Sequence, residues 1–370
     1  MSGKRTAHPY FMYEAIGEQP ERITALARAQ RHAIEAAAEA AATRRRILFV
    51  GIGTSSHAAQ IGEHFLRHFS AGAAHCFVEQ SFELVHYPLQ LSADDALVVI
   101  SHRGWKNYSV QALRTAQAAR ALTIAVTGEP VSEGMRSADH VIVTCEQENS
   151  FAHTKSYTTA LAALAMLAIC VAERRGQIAS TDRNKAIAAV ERIPEMMRAA
   201  LTWEAHIREA AKQLAMRQRC VFIGAGPNWA TAREAALKMK EACYLATEGF
   251  QCEQFLHGPI AELDSRAALV GLIAGGPGDH RINTALRAAG ELGVLRIASA
   301  SRGAISAEQS ETPAEFVFDL PEVSEWLSPF VHAVPMQLLS YFVALERHTN
   351  PDTGRQDQPA HARAHELFTL

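Results

Sequence analysis

The stretch Ile47-Leu48-Phe49-Val50-Gly51-Ile52-Gly53-Thr54-Ser55-Ser56 decides how this chain is read. Four apolar residues in succession fit a strand of a parallel sheet, covered on both faces. Gly51 and Gly53, followed by three hydroxyl residues, read as a tight turn into a helix. Glycine lets backbone come close to a ligand, and hydroxyls and amides at a helix N-terminus suit an anion, usually a phosphate. Strand-Gly-x-Gly turns are common, so this motif alone leaves a phosphate seat and a plain structural turn equally open. A second copy shifts the balance. Val221-Phe222-Ile223-Gly224-Ala225-Gly226-Pro227 stands about 170 residues further on, again after one helical pattern and before another.

Outward from these turns the chain alternates strand and helix. Strands are expected over 47–50, 75–78, 96–100, 122–126 and 140–144, with helices over 56–69, 108–119 and 154–174. After a polar break at 175–183 and helices over 184–201 and 203–217, the order repeats. Strands are expected over 220–223, 269–272, 294–298 and 315–320, with helices over 229–244, 279–292 and 329–347. Residues 247–258 read as a loop, 23–46 as one long helix, and Pro20 as a helix end or restart. This pattern predicts an α/β protein made of two doubly wound parallel-sheet units. The expected division is an N-terminal segment 1–24, a first domain 25–200, a second domain 201–348 and a tail 349–370. In such sheets ligands sit beyond the carboxyl ends of the strands. That places 54–56, 101–106 and 247–259 at candidate binding positions.

The bulk composition narrows the function. The chain has 370 residues, 48% hydrophobic and 20% charged, with a net charge of −3. That charge argues against a nucleic-acid surface, yet leaves room for a local grip on a small anion. The six cysteines form no Cys-x-x-Cys pair and read as buried reduced thiols, which points to the cytoplasm. The start of the chain shows no secretory pattern. The apolar run 161–172, about a dozen residues, is too short for a bilayer and fits a core helix. No membrane association is expected.

Three constellations could carry chemistry. Ser101-His102-Arg103-Gly104-Trp105-Lys106 follows a strand and reads as a phosphate grip or as an exposed basic turn. Lys238 and Glu241, three residues apart on a helical run, read as a solvated salt bridge or as a base held ionised by an ammonium. His257 before Gly258-Pro259 is a surface histidine or a proton-transfer group. There is no His-x-x-x-His and no Cys/His cluster with zinc spacing, so no metal or other cofactor is expected. Ser56 stands where a dinucleotide fingerprint would have its third glycine, which disfavours a nucleotide cofactor.

Together these residues resemble the sugar isomerase (SIS) domain family, in particular the isomerase half of glucosamine-6-phosphate synthase. The matching pieces are Gln19-Pro20-Glu21, Gly53-Thr54-Ser55, Ser101 with Gly104, Glu148, Thr154-Lys155 with Thr158-Thr159, the run Ala236-Leu237-Lys238-Met239-Lys240-Glu241, His257-Gly258-Pro259, Val334-Pro335-Met336-Gln337-Leu338-Leu339 and Asp357-Gln358-Pro359. The resemblance implies two tandem flavodoxin-like SIS domains, a homodimer and a sugar-phosphate substrate. It implies substrate binding by Gly53, Thr54, Ser55, Ser101, His102, Arg103, Lys106, Glu148 and His153. Glu241 would be the base between C1 and C2, with Lys238 beside it and His257 assisting ring opening.

The chain also departs from the family pattern. The family's phosphate loop usually reads Ser-Gln-Ser-Gly-Glu/Asp-Thr, so this loop loses two hydroxyls and gains two cations. It holds phosphate by charge, takes another anion, or fills the pocket with larger side chains. His153 replaces a small hydroxyl residue. The family's tail lysine, which meets the sugar carbonyl, has Ala364 in its place. No amidotransferase nucleophile opens the chain, as in stand-alone glucosamine-6-phosphate deaminases and phosphosugar isomerases. The expected function is sugar-phosphate isomerisation or aminosugar-phosphate deamination. The alternatives are a synthase subunit fed with ammonia by a separate glutaminase, and a non-catalytic sugar-phosphate sensor.

Overall fold

The computed structural model describes residues 5–302 and 313–367. Chain order runs α1 (Phe11–Ala29), α2 (Arg31–Ala42), β1 (Arg46–Gly51), α3 (Thr54–Phe69), β2 (His75–Gln80), α4 (Ser81–His86), β3 (Asp95–Ser101), α5 (Asn107–Ala118), β4 (Leu122–Glu129), α6 (Glu133–Arg136), β5 (His140–Glu146), α7 (Lys155–Arg174) and α8 (Ser180–Leu201). It continues α9 (Glu204–Ala215), β6 (Arg219–Gly224), α10 (Asn228–Cys243), β7 (Ala246–Gln251), α11 (Cys252–Leu256), β8 (Ala267–Ile273), α12 (Asp279–Glu291), β9 (Leu295–Ser301), β10 (Phe316–Leu320), α13 (Ser328–Glu346) and α14 (Pro359–Glu366).

Two compact units emerge. The first comprises Glu18–Glu148 and Lys155–Pro194; the second gathers the described residues up to Gly17, Asn149–Thr154 and those from Glu195 on. The first sheet has the order β2-β1-β3-β4-β5 and the second β10-β9-β8-β6-β7, each with all strands parallel. Read in chain order, both follow the doubly wound 2-1-3-4-5 pattern. The central strands β1, β3, β6 and β8 are apolar and buried because helices cover both faces.

The two glycine turns are built alike. A Cβ on Gly51 would fall 2.5 Å from the Ser55 carbonyl, and one on Gly224 would fall 2.2 Å from that of Asn228. Two residues later Gly53 and Gly226 adopt φ of 59° and 53°, a region that disfavours any side chain. Glycine is therefore required at both positions of both turns.

Three expectations need correcting. Pro20 lies inside α1, and the long helix expected over 23–46 is instead broken at Gln30. The Gln30 side chain accepts from the Val143 amide on edge strand β5 at 3.0 Å, a tertiary contact that favours the bend. Residues 247–258 contain β7 and α11 rather than a loop. Gly249 lets β7 lie on α10: a Cβ there would sit 2.5 Å from the Arg233 Cα. The tail carries α14; its last three residues, 368–370, lie outside the described residues, as do 1–4 of the N-terminal segment.

The apolar run 161–172 falls in α7, buried almost throughout. Helix α7 and the segment Glu325–Glu346 are long and apolar enough to cross a membrane, but both are buried inside the protein. The six cysteines are free and buried.

Candidate active site

In the first unit, neighbouring strands β1 and β3 carry the two candidate anion-binding segments at their carboxyl ends. Gly53 caps α3 and is followed by Thr54 and Ser55, both half-buried. Ser56, next in the turn, is 3% exposed, and its hydroxyl has no hydrogen-bond partner among the described residues. The same holds for Ser101, also 3% exposed, at the end of β3. Buried hydroxyls are nearly always satisfied. Ser56 lies in the first turn of α3 after β1 and Ser101 at the end of β3, so both fall in segments that follow neighbouring strands.

The loop after Ser101 is fixed through its carbonyls. Thr127 donates to the Ser101 carbonyl at 2.8 Å, Gln147 to that of His102 at 3.1 Å and Ser132 to that of Gly104 at 2.6 Å. Gly104 takes φ +73°, and a Cβ there would collide with the Ser132 hydroxyl. The His102 ring is packed on Gly128, where a Cβ would come within 2.5 Å of it. Burial lowers the His102 pKa to about 4, so the ring is neutral at pH 7. The loop's positive charge is therefore carried by Arg103 and Lys106, both half-buried. Arg103 lies over the exposed Trp105 ring, 5.9 Å from its centroid.

Glu148 is buried, and its carboxylate accepts from the Ser156 amide at 2.9 Å. It thereby caps α7, an anchoring role that the motif did not reveal. The neighbouring family-like residues also tie helices together. Lys155 donates to Glu18 at 2.6 Å and Glu146 at 2.5 Å, and Thr158 donates to Gln19 at 2.9 Å. His153 lies half-buried in the loop between β5 and α7, grouped with the second unit.

In the second unit, α10 carries Lys238 and Glu241. They are not a solvated pair. Lys238 is 1% exposed and donates to Glu241, while Glu234 lies 3.5 Å from the same ammonium. Glu234 is 3% exposed and Glu241 19%, so the outer carboxylate reaches the surface while the inner one is buried. Glu234 was missed in the sequence; its spacing of four residues before Lys238 was the available signal.

His257 ends α11 with its side chain 70% exposed. Its Nε2 is 3.1 Å from Glu253, which accepts from Arg281 at 2.5 Å. That guanidinium holds the Glu253 carboxyl below its usual range.

Residues 42–170 match the SIS domain family. The chain carries a SIS domain over these residues. Over 354 residues it is 31% identical to a glutamine--fructose-6-phosphate aminotransferase (isomerizing) of Thermococcus kodakarensis, covering 95% of this chain and 58% of that protein. The chain thus spans less than two thirds of that relative. Among solved structures it is similar to the C-terminal domain of glucosamine-fructose-6-phosphate aminotransferase from Francisella tularensis, with a TM-score of 0.85, 22% identity, and coverage of 95% of this chain and 99% of that one. It is also similar to tagatose-6-phosphate ketose/aldose isomerase from Escherichia coli, with a TM-score of 0.78, 20% identity, and coverage of 95% and 97%. At these identities the structural likenesses establish the SIS fold and leave the substrate open.

Proposed function

We propose that this SIS protein binds a sugar phosphate and moves a proton between C1 and C2, interconverting aldose and ketose forms or deaminating the 2-amino sugar. The observation that carries this reading is two buried hydroxyls without a partner among the described residues, Ser56 in the first turn of α3 after β1 and Ser101 at the end of β3. A phosphate would satisfy both, with Gly53, Thr54, Ser55, Arg103 and Lys106 around it; His102 would contribute as a neutral ring, and Glu148 and His153 would shape the surroundings.

Glu241 is the proposed base. Its carboxylate takes the proton from C2 as the C1 carbonyl becomes an enediol, then returns it to C1 as the C2 carbonyl forms. Lys238 favours the ionised carboxylate that this step needs. His257, exposed and tied to Glu253, is the proposed proton donor for ring opening. We further propose that the second unit is a second SIS domain, divided at 25–200 and 201–348 with a tail at 349–370, and that the protein works as a homodimer. Amination would draw ammonia from a separate glutaminase.

The test is interconversion of fructose 6-phosphate and glucose 6-phosphate, and of fructose 6-phosphate with ammonia and glucosamine 6-phosphate, by wild type and Glu241→Gln. Loss of turnover in the variant is expected, by about a hundredfold or more. Equal rates in both proteins would sink the assignment of the base. Binding without turnover in wild type would leave the sensor reading, which the altered Ser101-to-Lys106 loop favours.

A further inference from the structure

The two units align residue for residue at their strand ends. β1 and β6 each have six residues, and β3 and β8 each have seven. Helices α5 and α12 each begin six residues after the third strand, at Asn107 and Asp279. The turn with Gly53 thus matches the turn with Gly226, and Gly104 matches Gly276.

The contents of the two loops differ. In the second unit the Asp279 carboxylate accepts from the backbone amides of Gly275 at 2.7 Å, Gly276 at 3.1 Å and Ala274 at 3.3 Å. The Glu325 carboxylate lies against the same elements: a Cβ on Gly276 would fall 2.0 Å from it, and one on Gly226 would fall 3.1 Å away. Burial raises the pKa of both carboxyls, and the charge of Asp279 adds to the rise at Glu325. In the first unit Asn107 replaces the aspartate, and its side chain accepts from Gln111 at 2.6 Å instead. Gly104 faces the hydroxyls of Ser132 and Thr127 rather than a carboxylate.

Two further buried hydroxyls of the second unit lack partners among the described residues. Thr231 in α10 and Ser301 at the end of β9 are 1% and 2% exposed, and neither hydroxyl has a hydrogen-bond partner among the described residues. Ser301 follows the Ile273–Ala300 pair by one residue, which sets it beside the loop that Asp279 fills. They stand at other positions than Ser56 and Ser101, whose counterparts in this alignment are Trp229 and Ile273.

We infer that the second unit contains a second anion seat of the same design, closed by Asp279 and Glu325, and that removing these two carboxylates opens it to a phosphate dianion. The inference rests on reading the first unit's seat as a phosphate site. In place of the internal carboxylate, the Gly275 and Gly276 amides would donate to phosphate oxygens, with the Thr231 and Ser301 hydroxyls nearby.

The test is equilibrium dialysis of the full chain against inorganic phosphate, comparing wild type with D279N/E325A. Asparagine reproduces what the first unit carries at this position. Wild type is expected to bind one phosphate per chain and the variant two. No binding by wild type with one phosphate in the variant would keep this inference and defeat the first-unit reading. Equal stoichiometry in wild type and a cooperatively melting variant would overturn the inference, as would two phosphates on wild type. Should D279N/E325A fail to fold, D279S/E325A keeps a small hydroxyl acceptor beside the loop amides and is read by the same criteria.

Discussion

The first and second units share a strand order, a glycine turn and a loop of equal length, yet their seats differ. The first leaves the hydroxyls of Ser56 and Ser101 without a partner among the described residues. The second places Asp279 on three loop amides and Glu325 against Gly226 and Gly276. Backbone demands are met alike in both, because a glycine is needed wherever a helix start crowds a strand end. The difference lies in a handful of side chains outside the core. A fold can therefore be repeated whole while the side chains at its strand ends differ.

Each unit also buries a lysine, and these two lysines separate by degree. Lys238 in the second unit is 1% exposed, and of its two carboxylate partners Glu234 is 3% and Glu241 19% exposed. Lys155 in the first is 8% exposed, but its partners Glu18 and Glu146 are 41% and 43% exposed. Removing Lys238 strands a buried carboxylate, whereas removing Lys155 leaves carboxylates that water can reach. We expect Lys238→Met to cost about 3–5 kcal/mol and Lys155→Met about 1–2 kcal/mol, measured as urea unfolding free energies. Equal losses would break the comparison.

What was legible in the sequence follows from the same contrast. Both turns could be read because glycine before a helix, after an apolar strand, has few other uses. The alternation of elements followed from apolar runs four to six residues long. Strand β7 was hidden by Gly249, whose purpose is a close approach to α10 that only tertiary structure shows. The break at Gln30 was hidden because its cause is a hydrogen bond to a residue 113 positions away. At the site, Lys238 and Glu241 were visible as a pair, but their burial was not: a three-residue spacing is the same on a wet face and a dry one. Asp279 and Glu325 were invisible as a set, because they lie 46 positions apart in the chain and meet only at the strand ends.

Buried histidines extend the comparison to pH. Burial lowers the pKa of His102 in the first unit to about 4 and that of His332 in the second to about 3. His332 shares a 2.8 Å hydrogen bond with Ser299 through Nδ1. Both titrate near 6.5 when unfolded, so the unfolded chain binds more protons below that pH. The stability contributed by both neutral rings is complete above about pH 6.5 and declines as pH falls toward their folded values. Urea midpoints measured from pH 7 to pH 4.5 should therefore fall. In His102→Gln the fall should be shallower across this range, and a slope identical to wild type would show that His102 is not held neutral by burial.

The smallest expected effect is the most discriminating. Ser101 and Ser301 occupy strand ends in the two units, and among the described residues both lack partners for their hydroxyls. Neither makes a hydrogen bond that replacement could remove, so Ser101→Ala and Ser301→Ala should each change unfolding free energy by less than about 0.5 kcal/mol. Their effects on binding should diverge. Ser101→Ala should weaken phosphate binding by about 1 kcal/mol, roughly fivefold, and Arg103→Ala and Lys106→Ala by about the same or more. Ser301→Ala should leave affinity unchanged, because its seat is already filled by Asp279 and Glu325. Isothermal titration with inorganic phosphate measures each value. If Ser301→Ala lost as much as Ser101→Ala, the second seat would be open in the native protein, and the distinction between the two units would fall with it.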